Sequence, residues 1–594
     1  MSGQDFLPQL KKAVQAEKQY QEWLDASLAQ KSVQELRKEG LVLFPVIYSN
    51  AQNSLSGTSV TFTTSYSIPD HFFKRGATVS VQAGDAEWRG RIVELNDRSL
   101  TIYSSDNPEL DWYADNLKIS KISDDRTLQC MAIGLRICEE QALWKLIDEV
   151  REPESIQNTY TDTTFNESQR LAITAITGSD KLVAIQGPPG TGKTTTLVAG
   201  IRELVKSGKK IILAAPSNTA VDHVVRQLMR AQVPVIRVGN DEKIASDVQA
   251  VWLDNLVESG QASKSIQQYK KQLQQAIAIA DRNMRNYDAE ARELKRAARK
   301  DIRELSQLIR KTAQDQMFQL LEQTSVIAGT PVALFNELPK NWKSDVVVID
   351  EAAQALEPLT WLVASFGNRL VLCGDPQQLP ATVLSPEAQQ LKLNKSLLER
   401  IQEAKPLIRL KTQYRMDLAI QDLINGHFYD GELIAYDEAA AGLVSFIDMA
   451  GYGDGEQQDE ESGSYFNESE IEVISKLIVD ENLDPTNSFV LSPYSAQVKR
   501  LKEQLGKAWH VSTVDSIQGQ ETATVIISCT RSNESQSIGF LADLRRMIVA
   551  LSRAKHRLII IGDSATLGSN SCYTYLLDKI EQQYEYRSVW EILY

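Results

Sequence analysis

Gly187-Pro188-Pro189-Gly190-Thr191-Gly192-Lys193-Thr194 is the stretch of sequence that decides the fold. It follows the apolar run LVAIQ and precedes the helix-like run TTLVAGIRELV, which is the strand–loop–helix setting of a phosphate-binding loop. The glycines allow backbone N–H groups to approach phosphates, and the helix N-terminus adds a positive dipole end. We therefore predict that Lys193 reaches the β- and γ-phosphates of a nucleotide and that Thr194 ligates Mg²⁺. The alternative interpretation is an incidental glycine-rich turn.

Two adjacent carboxylates, Asp350 and Glu351, follow the apolar run VVVI. We predict that Asp350 holds Mg²⁺, directly or through water, and that Glu351 polarises the attacking water as general base. Adjacent carboxylates also occur at helix N-caps, but their pairing with the phosphate loop favours catalysis. Gln378, in the turn GDPQQ, is placed to sense the γ-phosphate, although this turn alone indicates only structure.

Apolar strand-like runs alternate with helical patterns over residues 156–405, which is typical of a doubly wound parallel sheet. A second series, FVLSPY, TVIISCT and RLIIIGD, predicts a similar sheet over 406–594. Ligands bind at the carboxyl ends of such strands. The predicted fold class is therefore α/β, with two parallel-sheet domains.

Further segments are predicted around these two domains. Residues 1–40 indicate a stalk helix, short β-rich runs over 41–122 indicate a small β-barrel, and 123–155 contains a second stalk helix. The charged stretch at about 263–316 contains neither Pro nor Gly and predicts a helical hairpin inserted into the first sheet domain. Its excess of basic residues indicates either an edge that faces nucleic acid or a solvated helix surface.

The composition restricts the class of protein. With 42% hydrophobic and 24% charged residues, it is typical of globular chains rather than disordered or membrane proteins. No run of about 18 apolar residues and no secretion signal is found, so we expect a cytoplasmic protein without a membrane partner. The five cysteines form no CxxC pair, which argues against zinc, iron–sulfur and disulfide sites. A net charge of −14 argues against coating nucleic acid through bulk charge, but not against a local basic track.

An ordered series of motifs resembles the superfamily 1 helicases, in the branch of the nonsense-mediated-decay RNA helicase and the immunoglobulin mu-binding helicase. The resemblance covers essentially all 594 residues. The matching segments are Phe165–Gln169, the phosphate loop, Ala215–Asp222, Asp350–Gln354, Gln413–Met416, Val514–Glu521 and Val549–Lys555. The family pattern departs at Asp417, where a histidine is usual, at Ile517, where an aromatic residue is common, and at Ile548, which replaces a frequent asparagine.

The resemblance implies two RecA-like domains that bind ATP and Mg²⁺ between them. It implies that Tyr414 stacks near adenine, that Arg415 reaches the γ-phosphate and that Arg553 is an arginine finger. A finger on the other domain makes hydrolysis depend on closure of the cleft. The implied catalytic set is Lys193, Asp350, Glu351, Gln378, Arg415 and Arg553. The implied nucleotide-contacting set is Gln169, Gly187, Pro188, Pro189, Gly190, Thr191, Gly192, Lys193, Thr194, Thr195, Tyr414, Arg415, Gly519, Glu521 and Arg553.

Small polar or aromatic residues at predicted strand ends suit contacts to backbone phosphates and stacked bases. Each is ordinary loop chemistry when taken singly, but their order along the chain matches the family. The predicted nucleic-acid contacts are Pro216, Ser217, Asn218, Thr219, Thr330, Ser492, Pro493, Tyr494 and Thr513.

These observations together predict an ATP-dependent helicase or translocase that binds single-stranded DNA or RNA as a monomer. The branch implies 5′-to-3′ movement, whereas backbone and stacking contacts do not distinguish DNA from RNA. One alternative is an ATP-gated clamp or remodeller that does not separate strands. A second alternative is a P-loop ATPase that acts on proteins. The residues indicate no particular protein partner.

Overall fold

The computed structural model of the protein describes most of the chain. The described residues are 6–38, 41–53, 58–66, 68, 73, 77–84, 86–104, 110, 112, 114, 117–121, 125–239, 244–260, 263–281, 289–460, 462–517 and 519–594. They form an N-terminal helical and antiparallel part followed by two domains, each built on a parallel sheet. The two parallel sheets with flanking helices confirm the predicted α/β fold class.

The N-terminal helices pack against the first parallel-sheet domain. They are α1 (Leu7–Gln30), α2 (Val33–Lys38) and α3 (Asp125–Glu140). Leu10 and Leu135 are buried in the same apolar cluster as Trp361 of the first domain. A Cβ at Gly134 would lie 2.0 Å from the Pro358 carbonyl oxygen, so only glycine allows α3 to approach this closely.

A seven-stranded antiparallel sheet, in the order β1-β7-β4-β5-β6-β3-β2, lies between α2 and α3 in the chain. Its strands are β1 (Val42–Leu43), β2 (Ile47–Asn53), β3 (Thr58–Thr63), β4 (Thr78–Ala83), β5 (Ala86–Leu95), β6 (Ser99–Ser104) and β7 (Lys118–Lys121). β1 and β2 occupy opposite edges although only residues 44–46 separate them, so the two edges approach each other. The small barrel stays a prediction, because part of 41–122 lies outside the described residues.

The first parallel sheet has the order β10-β11-β9-β12-β13-β8-β14. Its strands are β8 (Leu182–Gln186), β9 (Ile211–Ala214), β10 (Val235–Arg237), β11 (Val326–Gly329), β12 (Ser344–Ile349), β13 (Gly367–Gly374) and β14 (Ile408–Arg409). Every residue of β8 is buried, as expected for a strand covered by helices on both faces. β14 pairs with β8, so this sheet includes Ile408 and Arg409. The sequence predicted that the first domain ends earlier, at residue 405.

Helices cover both faces of this sheet and supply the inserted hairpin. They are α4 (Glu167–Thr177), α5 (Lys193–Lys206), α6 (Asn218–Arg230), α7 (Leu253–Ser259), α8 (Ser263–Asp281), α9 (Ala289–Gln323), α10 (Pro331–Glu337), α11 (Glu357–Ala364), α12 (Pro386–Gln390) and α13 (Leu397–Ala404). The long helices α8 and α9 stand where the sequence predicts a hairpin. Two basic residues of the predicted hairpin, Arg282 and Arg285, lie outside the described residues.

The second parallel sheet has the order β21-β20-β22-β23-β17-β24. The strands after Arg409 are β15 (Thr412–Gln413), β16 (Ile434–Ala435), β17 (Leu443–Asp448), β18 (Gln457–Gln458), β19 (Tyr465–Phe466), β20 (Ser488–Ser492), β21 (His510–Thr513), β22 (Thr522–Ser528), β23 (Ala554–Gly562) and β24 (Glu585–Ser588). The helices are α14 (Leu418–Phe428), α15 (Glu468–Asp480), α16 (Ser495–Leu505), α17 (Leu544–Leu551), α18 (Ser564–Leu567), α19 (Ser571–Gln583) and α20 (Val589–Leu593). β15 and β16 form a separate two-stranded parallel sheet.

Separate apolar clusters cover the two faces of each parallel sheet, and a further cluster fills the antiparallel sheet. Each domain therefore has its own core, which allows the two domains to move as units. Among the described residues, none of the helices combines the length and the apolar character that crossing a membrane requires.

Candidate functional site

The phosphate loop leaves the carboxyl end of β8 and is shaped by its own backbone. The Gly187 N–H donates to the Gly374 carbonyl at 2.9 Å, and the Thr191 hydroxyl donates to the Pro188 carbonyl at 2.8 Å. Gly192 adopts a φ of 74°, a left-handed conformation that favours glycine, directly before α5 begins. The loop therefore aims the first turn of α5 at the position that a phosphate would occupy.

Lys193 and Glu351 face each other at this loop. The Lys193 Nζ lies 2.9 Å from Oε1 of Glu351, and the Gln354 amide donates to the other carboxylate oxygen at 3.1 Å. Burial disfavours the lysine charge, but the Glu351 and Asp350 carboxylates outweigh burial and raise the pKa of Lys193. Burial likewise opposes the Glu351 charge, but Lys193 outweighs it and lowers the pKa of Glu351. Both groups are therefore charged at neutral pH.

Glu351 is also held in an uncommon backbone conformation, with a φ of 51°. Residues other than glycine rarely adopt this left-handed region, and such positions are frequent at active sites. In this conformation the Glu351 side chain contacts Lys193 at the phosphate loop. This feature was not predicted from the sequence.

Asp350 directly follows β12 and is a nearly fully buried carboxylate. Burial raises its pKa to about 6, with Lys193 opposing the shift and Glu351 adding to it. No group of three or more metal-ligating side chains occurs among the described residues. One carboxylate beside a phosphate loop still fits Mg²⁺, which binds through one or two carboxylates together with substrate phosphates. Asp350 and the Thr194 hydroxyl are the oxygen groups that would hold such an ion.

The Gln378 side chain is not available to contact a γ-phosphate in this structure. It is buried, and its amide donates to the Asp375 carboxylate at 3.1 Å. The same carboxylate accepts the Tyr429 hydroxyl at 2.8 Å and the Gln186 amide at 3.3 Å. Tyr429 belongs to the core of the second domain, so this network joins the two domains beneath the phosphate loop. Asp375 and Tyr429 were not predicted from the sequence, although Asp375 belongs to the GDPQQ turn.

Arg415 reaches the phosphate loop from the second domain. A Cβ at Gly190 would lie 2.7 Å from the Arg415 Cβ, which shows how closely the two segments pack. The Arg415 guanidinium forms an ion pair with Glu521 at 2.5 Å and donates to the Ser552 carbonyl at 3.1 Å. Glu521 also pairs with Lys555. Arg415 and Glu521, predicted from separate motifs, are therefore in direct contact.

Arg553 is buried and held within the second domain. Its guanidinium donates to the Val549 and Gln520 carbonyls at 2.9 and 3.1 Å. Burial and then the neighbouring Arg415 lower the pKa of Arg553 to about 9, with Glu351 opposing that shift. The side chain is thus a cation at neutral pH, close enough to Glu351 for each to perturb the other's pKa. Cations from both domains therefore converge on one loop.

The outer end of the loop carries the predicted nucleoside contacts. The Tyr414 N–H donates to the Gly190 carbonyl at 2.8 Å, and its hydroxyl accepts from the Asn166 amide at 2.9 Å. Gln169 is buried, donating to the Thr191 carbonyl and accepting from the Asn166 N–H. Its amide therefore braces the loop in this structure. Of the remaining predicted nucleotide contacts, Pro188 and Pro189 are buried and Thr195 is exposed. Gly519 is described, but its neighbour Gln518 lies outside the described residues.

A groove of about 710 Å³ runs along the carboxyl edge of the first sheet. Four of the predicted nucleic-acid contacts, Pro216, Ser217, Asn218 and Thr330, line it together. Thr219, the fifth contact predicted on this domain, is exposed beside them, with its hydroxyl 3.0 Å from that of Ser217.

The groove is also lined by two cations that the sequence analysis did not single out. Arg91 comes from the small antiparallel sheet and Arg126 from the start of α3. Both lie far from the predicted motifs along the chain, and only the packing of the N-terminal part on the first domain brings them into the groove.

A buried ion pair fixes the orientation of the Asn218 side chain. The fully buried Arg237 donates to the Asn218 side-chain oxygen at 2.9 Å and to Asp222 at 2.8 Å. Ser217 and Thr330 accept backbone N–H groups as the N-caps of α6 and α10. These side chains have structural roles that also fix their positions in the groove.

The second domain differs from the prediction at Ser492 and Tyr494, because both are buried. The Ser492 hydroxyl lies 3.0 Å from that of Thr530. Tyr494 is 1% exposed, and its hydroxyl accepts the Phe540 N–H at 3.0 Å. A buried ring offers no face to a base, so the predicted stacking by Tyr494 is not what this structure shows. The exposed aromatic side chain beside it is Phe540, at 60% exposure, which the sequence analysis missed.

The other two predicted contacts on the second domain, Pro493 and Thr513, are partly exposed. The positions that depart from the family pattern also have visible roles. Asp417 accepts from His556 at 3.0 Å if that ring nitrogen is protonated, and Ile517 and Ile548 are buried in the core of the second domain.

The fold and the loop together define a P-loop nucleotide-binding protein with two parallel-sheet domains. Two family models, each described as an AAA domain, match residues 164–386 and 393–565. The DNA-binding protein SMUBP-2 of Rattus norvegicus is 30% identical over 465 residues, covering 73% of this chain and 46% of that protein. An uncharacterized ATP-dependent helicase of Methanocaldococcus jannaschii is 31% identical over 535 residues, covering 78% of this chain and 79% of that protein.

The chain belongs to the superfamily 1 helicases, in the branch of SMUBP-2 and the regulator of nonsense transcripts 1, which confirms the resemblance seen in the sequence. It spans about half the length of the SMUBP-2 proteins, covering 46% of the rat protein and 61% of the mouse protein. A crystal structure of the Arterivirus nonstructural protein 10 helicase aligns with a TM-score of 0.39 and 12% identity, covering 89% of this chain and 79% of that one.

Proposed function

We propose that the chain is an ATP-dependent helicase that moves along single-stranded nucleic acid. The observation that carries this proposal is the convergence of charged side chains from two domains on one phosphate loop. Lys193 and Glu351 come from the first domain, and Arg415 and Arg553 come from the second. A nucleotide bound there contacts both domains at once, so its binding and hydrolysis change how the domains sit against each other.

Nucleotide binding begins with an exchange of partners at Lys193. The lysine leaves the Glu351 carboxylate for the β- and γ-phosphate oxygens, which carry more negative charge. This exchange frees Glu351, which is deprotonated while Lys193 lowers its pKa. Once the lysine has left, the carboxylate is a stronger base and can accept a proton from the attacking water. The pair between Lys193 and Glu351 therefore keeps the base inactive until a triphosphate arrives.

Charge that develops on the transferring phosphoryl group is neutralised from the second domain. Arg415 and Arg553 both belong to that domain, and each is held by carbonyl groups of the segment around Ser552 or by Glu521. Moving them toward the γ-phosphate requires the cleft to close, so hydrolysis is coupled to domain movement. Mg²⁺, held by Thr194 and Asp350, would supply further neutralising charge to the phosphates.

The groove on the first domain is the proposed path of the strand. Its polar N-cap residues suit phosphate contacts, and Arg91 and Arg126 add positive charge to a chain whose overall charge is −14. The name of the rat relative, a DNA-binding protein, supports DNA as one substrate. The 5′-to-3′ direction rests on the resemblance to this branch.

The experiment compares ATP hydrolysis with strand separation. We expect single-stranded DNA or RNA to stimulate hydrolysis, and duplexes with a 5′ tail to be separated faster than those with a 3′ tail. Stimulation without strand separation would favour an ATP-gated clamp or remodeller. Hydrolysis that ignores both nucleic acids but responds to a protein would favour a P-loop ATPase that acts on proteins.

A further inference from the structure

Two tyrosine rings lie against each other at the outer end of the phosphate loop. The ring centroids of Tyr414 and Tyr436 are 4.7 Å apart, and the ring planes are inclined by 40°. Tyr414 is 43% exposed and Tyr436 is 71% exposed. An aromatic side chain this exposed leaves most of its apolar area in water, which a bound planar group would cover.

The backbone fixes Tyr436 at this position. β16 pairs with β15 in a parallel register that sets Ala435 opposite Gln413. The Tyr436 N–H then donates to the Gln413 carbonyl at 3.0 Å. Tyr436 therefore follows β16 as Tyr414 follows β15, and the short sheet places the two rings side by side.

Tyr414 in turn is fixed to the nucleotide-binding machinery. Its N–H donates to the Gly190 carbonyl of the phosphate loop, and its hydroxyl accepts from Asn166, the N-cap of α4. A base attached to phosphates on this loop thus meets the Tyr414 ring. Gln169 already makes two hydrogen bonds to backbone groups, so stacking is the contact that the structure most readily supplies to the base.

We propose that Tyr436 is the second aromatic wall of the nucleotide-base pocket, so that a bound base lies between its ring and that of Tyr414. This inference rests on the proposed function and adds a residue that determines base affinity. At 4.7 Å the two rings leave no room for a base between them. A base stacked on both sides needs a separation of about 7 Å, two van der Waals contacts of about 3.5 Å each. Binding therefore moves the Tyr436 ring outward by about 2 Å.

The test measures equilibrium binding of ATP, CTP and inorganic tripolyphosphate, each with Mg²⁺, to the full chain by calorimetry. We expect Tyr436→Ala to weaken ATP binding about tenfold, because base–aromatic stacking contributes about that much. CTP binding should weaken less, because a pyrimidine has a smaller ring surface. Tripolyphosphate binding should not change, because it has no base.

Two further variants serve as matched controls. Tyr436→Phe keeps the ring and should bind ATP as the native chain does. Ile434→Ala changes an exposed side chain two residues earlier on β16 and should also leave binding unchanged. Unchanged ATP affinity in Tyr436→Ala would overturn the proposal, and so would tighter binding, because tighter binding means that the ring only obstructs the pocket. Equal weakening of ATP and tripolyphosphate would overturn it too, because it means that the loop itself is damaged.

Failure of the proposed function gives a separate result. If the native chain hydrolyses no ATP, or hydrolyses it without regard to nucleic acid, the helicase proposal fails before any variant is made. The base pocket is then still tested by the same binding measurements, because they require no turnover.

Discussion

The nucleotide cleft and the surface predicted to bind the nucleic-acid strand differ in how many domains contribute side chains to them. In the cleft, Lys193, Glu351, Arg415 and Arg553 approach one loop from two domains. Burial and neighbouring charges shift the pKa values of Lys193, Glu351 and Arg553. On the strand surface, the first domain offers an open groove, whereas the second domain buries Ser492 and Tyr494. The cleft therefore combines groups from two domains, and the described strand surface is concentrated on one.

This difference has a physical origin. Hydrolysis needs opposite charges at fixed points, and a low-dielectric cleft strengthens each of those interactions. A nucleic-acid backbone can be held by many weak polar contacts, which a chain can rearrange between steps. We therefore expect substitutions in the cleft to affect turnover strongly and substitutions on the strand surface to have graded effects on affinity.

The largest effect is expected for Arg553→Ala. Loss of a cation that neutralises the transferring phosphoryl group lowers kcat by about 10³-fold or more. ATP affinity should be nearly unchanged, because the hydrogen bonds that Arg553 donates to described residues all lie within the second domain. The measurement is single-strand-stimulated ATPase activity together with calorimetric ATP binding.

The matched control for Arg553 is Arg546→Ala, which removes an arginine of α17 that pairs with Asp515. This variant should keep its kcat. Because Arg553 is buried, its removal can also destabilise the fold. The thermal unfolding midpoint of the Arg553→Ala protein must therefore be measured together with its activity. A stable Arg553→Ala protein with native kcat would discard the arginine-finger assignment.

A comparable loss of turnover is expected for Glu351→Gln. The amide cannot accept a proton from water, so kcat should fall by about 10²- to 10⁴-fold. ATP binding should be kept or strengthened, because Lys193 no longer has to leave an ion pair. Stopped-flow ATP binding and steady-state turnover separate the two effects. Native turnover in this variant would remove Glu351 as the base.

The sequence predicted the parts of the molecule that depend on local pattern. The strand–loop–helix setting of Lys193 and the apolar run before Asp350 identified two strands of one parallel sheet, because such runs are continuous and both faces are buried. Paired with the family motifs, they also predicted Arg415 and Arg553 on the facing domain. Charged residues in polar turns after buried strands indicate catalysis only when they are combined with the phosphate loop.

Contacts that depend on long-range packing could not be predicted. Tyr429 donates to Asp375 across 54 residues, and Arg91 enters the groove from the antiparallel sheet. Tyr494 was predicted to stack on bases because it follows a strand end, but the segment around Phe540 covers its ring. Whether an aromatic residue at a strand end is exposed depends on what packs over it, and the pattern does not contain that information.

A moderate effect is expected for Arg91→Ala, which tests whether the groove holds the strand. Removal of one phosphate contact should weaken single-strand binding several-fold and reduce the slope of log affinity against log salt by about 0.7. Fluorescence anisotropy over a range of salt concentrations measures both. Arg98→Ala is the matched control, because Arg98 lies in the turn between β5 and β6 of the same sheet, pairs with Asp97 and does not line the groove. Equal behaviour of the two variants would place the strand elsewhere.

The smallest effect on strand binding is expected for Tyr494→Phe. The substitution keeps the ring but removes the hydroxyl that accepts the Phe540 N–H and a guanidinium hydrogen of Arg531. Leaving these donors without their partner should lower the free energy of unfolding by about 1 to 2 kcal/mol, while single-strand affinity stays at the native value. Urea denaturation and anisotropy measure the two quantities. The more severe Tyr494→Leu removes the ring itself, and a tenfold loss of strand affinity in a stably folded Tyr494→Leu protein would show that Tyr494 becomes exposed and stacks on a base when the strand binds.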